Sequence, residues 1–262
     1  MAEAEMCPGT DNPGIKFDVI AFDRLESSNL FIMQNEGKHD FSEGTVVWAK
    51  SQTSGIGQSG NSWVSEDGKN LTFSVVLRPD FLPVAEQFAL HKALSVAVCN
   101  TLRQILPQRN DIKIKWPNDI YVGTKKICGI LVNNKISGNS YTLAVAGIGL
   151  NVNQTDFPAS LPNPISLKNA DGHDFELFDL LEKILHNIGV WYNILKENQL
   201  NVLDEAYFGQ MLNFGEKKTY RYHGTELQAT ITGVDRFGRL LLQTADNQSL
   251  VCDIKELTYI FQ

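Results

Sequence analysis

The sequence lacks the features that mark several large classes of protein. No apolar run approaches the roughly 20 residues that a membrane-spanning helix needs, and the N-terminus has no charged-then-apolar signal pattern. The net charge of −7 and the pI near 5.3 argue against a general binder of nucleic acid or membrane surfaces. We therefore expect a cytoplasmic protein with no DNA or membrane partner.

Patterns for metal binding and for covalent catalysis are missing as well. The four cysteines are far apart and fit no Cys-x-x-Cys spacing, and the five histidines show neither HxxxH nor HExxH. No Ser-His-Asp or activated-cysteine arrangement is visible. The cysteines are interpreted as core thiols in a reducing compartment, and no covalent enzyme intermediate is expected.

What is present predicts one large domain and one small domain. With 262 residues and 43% hydrophobic residues, the chain can bury a sizeable core. Residues 1–16 are polar and predict a flexible N-terminal tail. Residues 17–213 mix strand and helix patterns, which predicts an α+β domain with a mixed β-sheet flanked by helices. Residues 214–262 carry five short strand patterns, which predict a small C-terminal β-barrel.

The segment 115–132, KWPNDIYVGTKKICGILV, places charge beside an apolar strand. Every residue from Ile127 to Val132 is apolar or glycine, which predicts a covered strand. Lys126 begins this strand and is expected on the face of Cys128. Asp119 precedes the facing strand, so the two charges are predicted to meet at the mouth of a buried hairpin. A functional pair and a purely structural ion pair both remain open here.

Two glycines and an asparagine occupy alternate positions of the predicted strand 141–152, so they share one of its faces. Its odd-numbered face holds Gly147, Gly149 and Asn151. Two glycines on one face predict a flat floor where a ligand can approach the backbone. The opposite face is apolar from Ala144 to Leu150 and is expected to face the core.

A second glycine pattern lies in the loop 55–60, which reads Gly-Ile-Gly-Gln-Ser-Gly. No helix pattern follows it, so the dinucleotide-binding version of this motif is excluded. Two interpretations of this segment remain open: it is a loop whose backbone N–H groups bind an anion, or it is a plain surface loop. Trp63 offers a ring for stacking, and Gln52 offers both a donor and an acceptor to a urea-like group. The run 27–29, Ser-Ser-Asn, fits a helix cap or the polar end of a pocket.

Taken together, these residues resemble the signature of biotin protein ligases. The resemblance rests on Lys115-Trp116-Pro117-Asn118-Asp119, on Lys126 and on 129–132, and it extends over roughly residues 17–210 through the segments 26–29, 52–63 and 147–151. It implies a catalytic domain like those of class II aminoacyl-tRNA synthetases and biotin ligases, with an SH3-like barrel. It also implies activation of biotin by ATP and Mg²⁺ to biotinyl-5′-AMP. Transfer to a lysine of a biotin carboxyl carrier protein, part of acetyl-CoA carboxylase or a related enzyme, would follow. A homodimer is left open.

The resemblance also assigns roles by position. Lys126 is expected to contact the biotin carboxylate and the phosphoryl oxygens, Lys115 to assist with phosphate charge, and Asp119 to position the metal or the acceptor lysine. Mg²⁺ is otherwise expected to be held through the ATP phosphates. The implied biotin-binding residues are Ser27, Ser28, Asn29, Gln52, Ile56, Gly57, Gln58, Lys126, Gly129, Gly147 and Gly149. The implied nucleotide-binding residues are Gly55, Gly57, Gln58, Gly60, Trp63, Asn118, Lys126 and Asn151.

The chain departs from the family pattern in two places. The family's loop commonly carries arginines where this chain has Ile56 and Gln58, so we expect a weaker hold on the adenylate unless another basic residue compensates. Sixteen residues before the first strand are too few for the DNA-binding domain that makes some relatives repressors, so no operator binding is expected. A lipoate protein ligase and a biotin-binding protein without transfer activity are the alternatives. The Gln52 segment and the predicted barrel both favour biotin. Lipoyl has no ureido group, so its pocket would need fewer polar partners.

Overall fold

The computed structural model describes residues 4–12 and 14–261. Its strands are β1 (Ala4–Asn12), β2 (Ile15–Leu25), β3 (Thr45–Gln52), β4 (Leu71–Leu77), β5 (Ile112–Lys115), β6 (Asp119–Val122), β7 (Lys125–Ser137), β8 (Ser140–Leu150), β9 (Lys217–Tyr222), β10 (Thr225–Val234), β11 (Leu240–Thr244), β12 (Ser249–Cys252) and β13 (Leu257–Tyr259). Its helices are α1 (Ser28–Asn35), α2 (Phe88–Ile105), α3 (Leu167–Asp171), α4 (Leu177–Lys196) and α5 (Leu200–Gln210). None of the helices within these described ranges is long and apolar enough to cross a membrane.

Strands β1 to β8 form one mixed sheet in the order β1-β2-β3-β4-β8-β7-β6-β5. Strands β2 and β3 are parallel, and their neighbours pair antiparallel. Helices α2 and α4 lie on one face over the main hydrophobic core, and α1 lies on the other face against β3, β4 and β8. The predicted mixed sheet flanked by helices is therefore confirmed.

Strand β8 shows how the sheet separates core from site. Its even-numbered residues Ala144, Ala146, Ile148 and Leu150 belong to the main core, as the alternation predicted. The odd-numbered face points to the side of α1, where Val145 packs in a smaller cluster with Ile32. The two glycines on this face lie beyond that cluster, on the wall of a cavity.

The expectation of a flexible tail over residues 1–16 is wrong for the part that the structure describes. Strand β1 pairs antiparallel with β2, which itself begins at Ile15. The buried alternation of Ile15, Phe17 and Val19 extends β2, so its outer edge offers backbone groups for a further strand. The pairing has a register shift between Cys7 and Thr10, where Pro8 and Gly9 interrupt the regular pattern of a strand.

Strands β9 to β13 form a separate antiparallel sheet in the order β12-β11-β10-β9-β13, which we call the C-terminal sheet. The five short strands were predicted; closure into a barrel and the domain boundary at 213/214 stay predictions. The C-terminal sheet packs on the larger unit through its 237–238 turn. Trp116 Nε1 donates to the Gly238 carbonyl at 2.9 Å. A Cβ on Gly238, where φ is +90°, would lie 2.6 Å from Phe88 Cδ2, so only glycine allows this approach.

Candidate active site

A cavity of about 160 Å³ opens between the start of α1, the end of β3, the glycine loop and the floor of β7 and β8. It brings together residues that are distant in sequence. The predicted site residues on its wall are Ser27, Ser28, Asn29, Gln52, Ile56, Gly57, Gln58, Trp63, Asp119, Lys126, Gly129, Gly147 and Gly149. The structure thus places the whole predicted biotin-binding set around one space, and the role of each residue stays a prediction.

One end of this cavity is polar and fixed by hydrogen bonds. Ser27 caps α1, its Oγ accepting from Leu30 N at 3.4 Å, as the sequence predicted. The Ser28 backbone N–H donates to Gln52 Oε1 at 2.7 Å. The Gln52 carbonyl is therefore engaged, and its Nε2 is left as a donor beside the Gly55 backbone.

Two residues that the sequence analysis missed complete this polar end. The buried Ser74 Oγ lies 2.8 Å from Ser28 Oγ. Asn133 Nδ2 donates to Asn29 Oδ1 at 2.7 Å, while Asn29 Nδ2 donates to the Val145 carbonyl at 3.2 Å. These bonds fix the orientation of the Asn29 amide. A serine inside a strand as apolar as β4 was the available signal for Ser74.

The glycine floor is covered by an indole ring. A Cβ built on Gly149 would stand 2.7 Å from Trp63 Nε1, and a Cβ on Gly147 would stand 3.1 Å from Asn29 Nδ2. The Trp63 backbone N–H also donates to the Gly55 carbonyl at 2.8 Å, which ties the ring to the glycine loop. The absence of side chains at the floor is therefore what lets Trp63 lie against β8.

A second cavity, of about 420 Å³, also has Trp63 on its wall. It shares Trp63, Lys126, Asn61 and Ser62 with the first cavity. Its remaining wall consists of Val64, Asn151, Ser160, Leu161, Pro162 and Pro164. Asn151 was among the predicted nucleotide-binding residues, whereas none of residues 160–164 was. The two cavities are thus neighbours, and Lys126 and Trp63 stand where they meet.

Lys126 reaches this position through a β-bulge. Ile120 pairs with Cys128 and Tyr121 with Lys126, so one extra residue stands in β7. Ile127 and Cys128 are both fully buried as a result. Lys126 instead shares the face of Gly129, because a Cβ on that glycine would be 3.3 Å from Lys126 Nζ. The expectation that Lys126 lies on the face of Cys128 is therefore wrong.

The predicted meeting of a lysine and an aspartate is confirmed. Lys126 Nζ lies 2.8 Å from Asp119 Oδ2, and the two side chains are 32% and 27% exposed. The Lys126 ammonium also lies 5.8 Å from the centre of a Trp63 ring. Its backbone is clamped, because its N–H donates to the Asn163 carbonyl at 2.8 Å and its carbonyl accepts from Ile165 N at 3.0 Å. The ammonium is therefore held close to both cavities.

The glycine loop is ordered by its own backbone. The Gly57 N–H donates to the Asn61 carbonyl at 2.7 Å, and a short 3₁₀ turn follows at Gln58–Gly60. No α-helix starts there, which agrees with the exclusion of a dinucleotide-binding motif. Loop residues 53–62 include no charged residue. Lys126 is consequently the one cation on the described walls of both cavities.

The structure places Lys115 away from the walls of the two cavities. Its Nζ lies 5.1 Å from the ring centre of Tyr121 and 5.2 Å from that of Tyr259. Burial lowers the pKa of Lys115, the Lys126 charge lowers it further, and the Asp119 charge opposes both effects. This packing gives no support to the expected contact between Lys115 and phosphate.

Asn118 also has partners that differ from the expectation. It is buried, and its Nδ2 donates to the Ile130 carbonyl at 3.0 Å and lies 3.1 Å from His91 Nδ1. Burial lowers the pKa of His91 to about 4, so the imidazole is neutral at pH 7 and can accept from the amide. Asn118 therefore links α2 to β7 and is not on the walls of the two cavities, and its contact with the nucleotide stays a prediction.

Within the described ranges, no cluster of three or more His, Cys, Asp or Glu side chains is arranged to hold a metal ion. Asp119 is the one carboxylate on the described wall of the first cavity. A divalent ion at this site would therefore need further ligands from a bound molecule, such as phosphate oxygens.

A cation shared by two adjoining cavities, one with a polar amide end and one beside an indole, suits a protein that joins a carboxylic acid to a nucleotide. Comparison with known proteins agrees with this class. Residues 21–153 match the family described as the Biotin/lipoate A/B protein ligase family, and the chain belongs to that family.

Several known proteins resemble this chain. The bifunctional ligase/repressor BirA of Bacillus subtilis (strain 168) is 31% identical over 205 residues, covering 77% of this chain and 62% of that protein. The biotin–[acetyl-CoA-carboxylase] ligase of Paracoccus denitrificans is 27% identical over 208 residues, covering 75% of this chain and 83% of that protein. The chain thus matches somewhat less than two thirds of the length of the Bacillus relative.

The fold also matches a solved structure. The biotin protein ligase of Aquifex aeolicus, in complex with biotin and ATP, superposes with a TM-score of 0.75 at 25% identity. The match covers 92% of this chain and 97% of that one, so it includes both sheets described above.

Proposed function

We propose that this chain is a biotin protein ligase. It activates biotin with ATP to biotinyl-5′-AMP and transfers the biotinyl group to a lysine of a biotin carboxyl carrier protein. The main support for this proposal is that the two cavities meet at Lys126. The names of the relatives from Paracoccus and Aquifex support the same substrates.

The first cavity suits the ureido ring of biotin. Gln52 Oε1 accepts a hydrogen bond from the Ser28 N–H, which leaves the Nε2 group as the donor that this side chain offers on the cavity wall. The hydroxyls of Ser27 and Ser28 and the amide of Asn29 line the same end. A ureido group needs both donors and acceptors, whereas the dithiolane ring of lipoate needs neither. This polar end therefore favours biotin over lipoate, which is the alternative substrate within the family.

The second cavity suits the nucleotide, with Trp63 and Asn151 on its wall. When the biotin carboxylate attacks the α-phosphorus of ATP, a carboxylate oxygen forms the new P–O bond and pyrophosphate leaves. The reaction brings two anions together, so a fixed ammonium between them stabilises the transition state. Lys126 is proposed to supply this ammonium, because it lies on the walls of both cavities and its backbone is hydrogen-bonded to residues 163 and 165.

Mg²⁺ would neutralise phosphate charge in this step, held by the ATP phosphates with Asp119 as the carboxylate on the cavity wall. In the transfer step, the amine of the acceptor lysine attacks the acyl carbon and AMP leaves. Asp119 is placed to orient that lysine or to accept its proton. The ion pair between Lys126 Nζ and Asp119 Oδ2, with a separation of 2.8 Å, keeps the carboxylate beside Lys126 and so beside the proposed reaction site.

The proposed partner is the biotin carboxyl carrier domain of an acetyl-CoA carboxylase or a related enzyme, in the cytoplasm. The oligomeric state is left open. DNA binding is predicted to be absent because the chain carries a net charge of −7. A sequence-specific mobility shift that resists salt would contradict this part of the proposal.

The test is ATP–pyrophosphate exchange measured with biotin or with lipoate as the acid. We expect exchange that depends on biotin, and none above background with lipoate. Exchange with lipoate instead would assign the chain to the other branch of the family. Biotin binding without exchange would leave a binding protein that lacks transfer activity.

A further inference from the structure

Strands β5 and β6 bring Lys115 beside the active-site carboxylate. Lys115 stands directly opposite Asp119 in the antiparallel register of these strands. Tyr121 is two residues further along β6 and therefore lies on the same face, diagonal to Lys115. Tyr121 Oη lies 3.4 Å from Lys115 Nζ, and its ring centre is 5.1 Å away. The lysine is thus flanked by a carboxylate and a ring from a single hairpin.

The C-terminal sheet supplies a second ring. The ring centre of Tyr259, on β13, lies 5.2 Å from Lys115 Nζ, and Tyr259 is 6% exposed. Phe261 stacks on Tyr121 with ring centres 5.7 Å apart and planes inclined by 24°. We call Tyr121 and Tyr259 the Lys115 cage. One of its rings belongs to the catalytic sheet and the other to the C-terminal sheet.

The Lys115 cage holds a charge near the active site without exposing it to the cavities. An ammonium over an aromatic face is attracted by the ring, and the attraction grows when water is excluded. Lys115 is half-buried, and this burial lowers its pKa, so the charged form depends on the opposing effect of the Asp119 charge and on the two rings. Asp119 therefore has one lysine on the cavity side, Lys126, and a second lysine on the side of the C-terminal sheet.

We propose that Tyr259 is a positioning residue: by closing the cage over Lys115, it fixes the ammonium opposite Asp119 and so couples docking of the C-terminal sheet to the active site. The coupling acts on the carboxylate that receives the acceptor lysine. It leaves the polar end of the biotin cavity alone, because that end is built from α1, β3 and β4. The role in transfer rests on the proposed function.

The kinetic test compares Tyr259→Leu, Tyr259→Phe, Lys115→Met and the Tyr259→Leu/Lys115→Met double variant. Transfer from preformed biotinyl-AMP to a carrier domain is measured beside the Kd for biotin. We expect Tyr259→Leu to slow transfer about 2- to 30-fold, the range that the loss of one cation–π contact gives. The Kd for biotin is expected to stay unchanged. Tyr259→Phe keeps the ring and is expected to restore the rate.

The double variant separates positioning from a general loss of structure. If Tyr259 acts through Lys115, the double variant transfers no more slowly than Lys115→Met alone. Tyr222→Leu is the matched control, because Tyr222 is a tyrosine of the same sheet that packs on His223 instead. Additive losses in the double variant, or an equal loss in Tyr259→Phe and Tyr259→Leu, would overturn the proposal.

A second readout does not depend on ligase activity. An amine-reactive ester is applied to the folded protein, and labelling of Lys115 is mapped by mass spectrometry against the exposed Lys217. We expect slow labelling of Lys115 in the wild type and faster labelling in Tyr259→Leu but not in Tyr222→Leu. Rapid labelling in the wild type would refute the cage, even if the protein proved to have no ligase activity. A caged lysine in a protein without biotin-dependent exchange would refute the proposed function alone.

Discussion

Replacing Gly149 by alanine should damage the nucleotide cavity more than any comparable change on the floor. The new Cβ would stand 2.7 Å from Trp63 Nε1 and 2.8 Å from Trp63 Cδ2. Side-chain carbons do not approach this closely, so the indole must move away from β8. Because Trp63 lies on the walls of both cavities, its displacement changes the space on each side of Lys126.

Overpacking of this kind costs about 1 to 3 kcal/mol. If the indole moves away in the free protein and must return to its place when the ligands bind, this cost falls on binding, which should weaken by roughly 5- to 150-fold at about 1.4 kcal/mol for each factor of ten. The assay is biotin-dependent ATP–pyrophosphate exchange, from which the KM for ATP and for biotin are both obtained. We expect both constants to rise, since the ring borders both sites.

Two other glycines calibrate the effect. A Cβ on Gly147 would stand 3.1 Å from Asn29 Nδ2, a tighter contact than usual but one that a side-chain amide can relieve, so Gly147→Ala should have a smaller effect. A Cβ on Gly233, in the C-terminal sheet, would meet Leu241 Cδ1 at an ordinary 3.5 Å, and Gly233→Ala should leave both constants unchanged. A Gly149→Ala protein with wild-type KM for ATP and biotin would refute the argument that Trp63 needs a bare floor.

Three further predictions follow from single residues. Lys126→Met should lower the rate of exchange by about 10²-fold or more while the thermal unfolding temperature stays close to that of the wild type, because it removes the cation shared by both cavities; normal turnover would exclude Lys126 from the mechanism. Gln58→Arg should slow dissociation of biotinyl-AMP by about 10- to 100-fold, the value of one hydrogen bond to a charged group, and an unchanged dissociation rate would contradict the predicted weak hold of the wild-type loop. Burial lowers the pKa of His91 from 6.5 to about 4 in the folded state. Between these two pH values the unfolded state therefore binds more protons than the folded state. The free energy of unfolding is highest above pH 6.5, where His91 is neutral in both states, and it decreases as the pH falls. By about pH 5 this loss is about 2 kcal/mol. The free energy of unfolding, measured by urea denaturation at about pH 7.5 and about pH 5, should fall less between these two pH values in His91→Gln than in the wild type. An equal fall in both proteins would refute this prediction.

The hairpin and the glycine floor were predictable because their signals are local. An apolar run from Ile127 to Val132, with Lys126 before it and Asp119 across the turn, determines which residues approach each other. Alternation along 141–152 likewise separates Gly147 and Gly149 from the core. These patterns need only the period of a strand, which depends on neighbouring residues.

The face of Lys126 was not predictable in this way. Strand β7 has one extra residue opposite the step from Ile120 to Tyr121, and this bulge turns the Lys126 side chain toward the cavity. A bulge leaves the composition of the strand unchanged, so strict alternation assigned the wrong face. Strand β1 was missed for a related reason, since Pro8 and Gly9 interrupt a pairing that continues on either side of them.

Contacts between segments that are distant in sequence account for the remaining differences between the predicted and the observed positions of site residues. Lys115 meets Tyr259 only because the C-terminal sheet docks on β5 and β6. Asn118 meets His91 only because α2 crosses behind β7. Neither pair has a periodic signal, so the sequence alone assigned Lys115 and Asn118 roles taken from the family resemblance.

The proposed reaction is tested directly by the intact mass of a biotin carboxyl carrier domain after incubation with this protein, biotin, ATP and Mg²⁺. We expect a gain of one biotinyl group on a single lysine of the carrier. The gain should require ATP and should disappear with Lys126→Met. A carrier that stays unmodified in the presence of folded wild-type protein and all substrates would contradict the central claim that these two cavities form and transfer biotinyl-AMP.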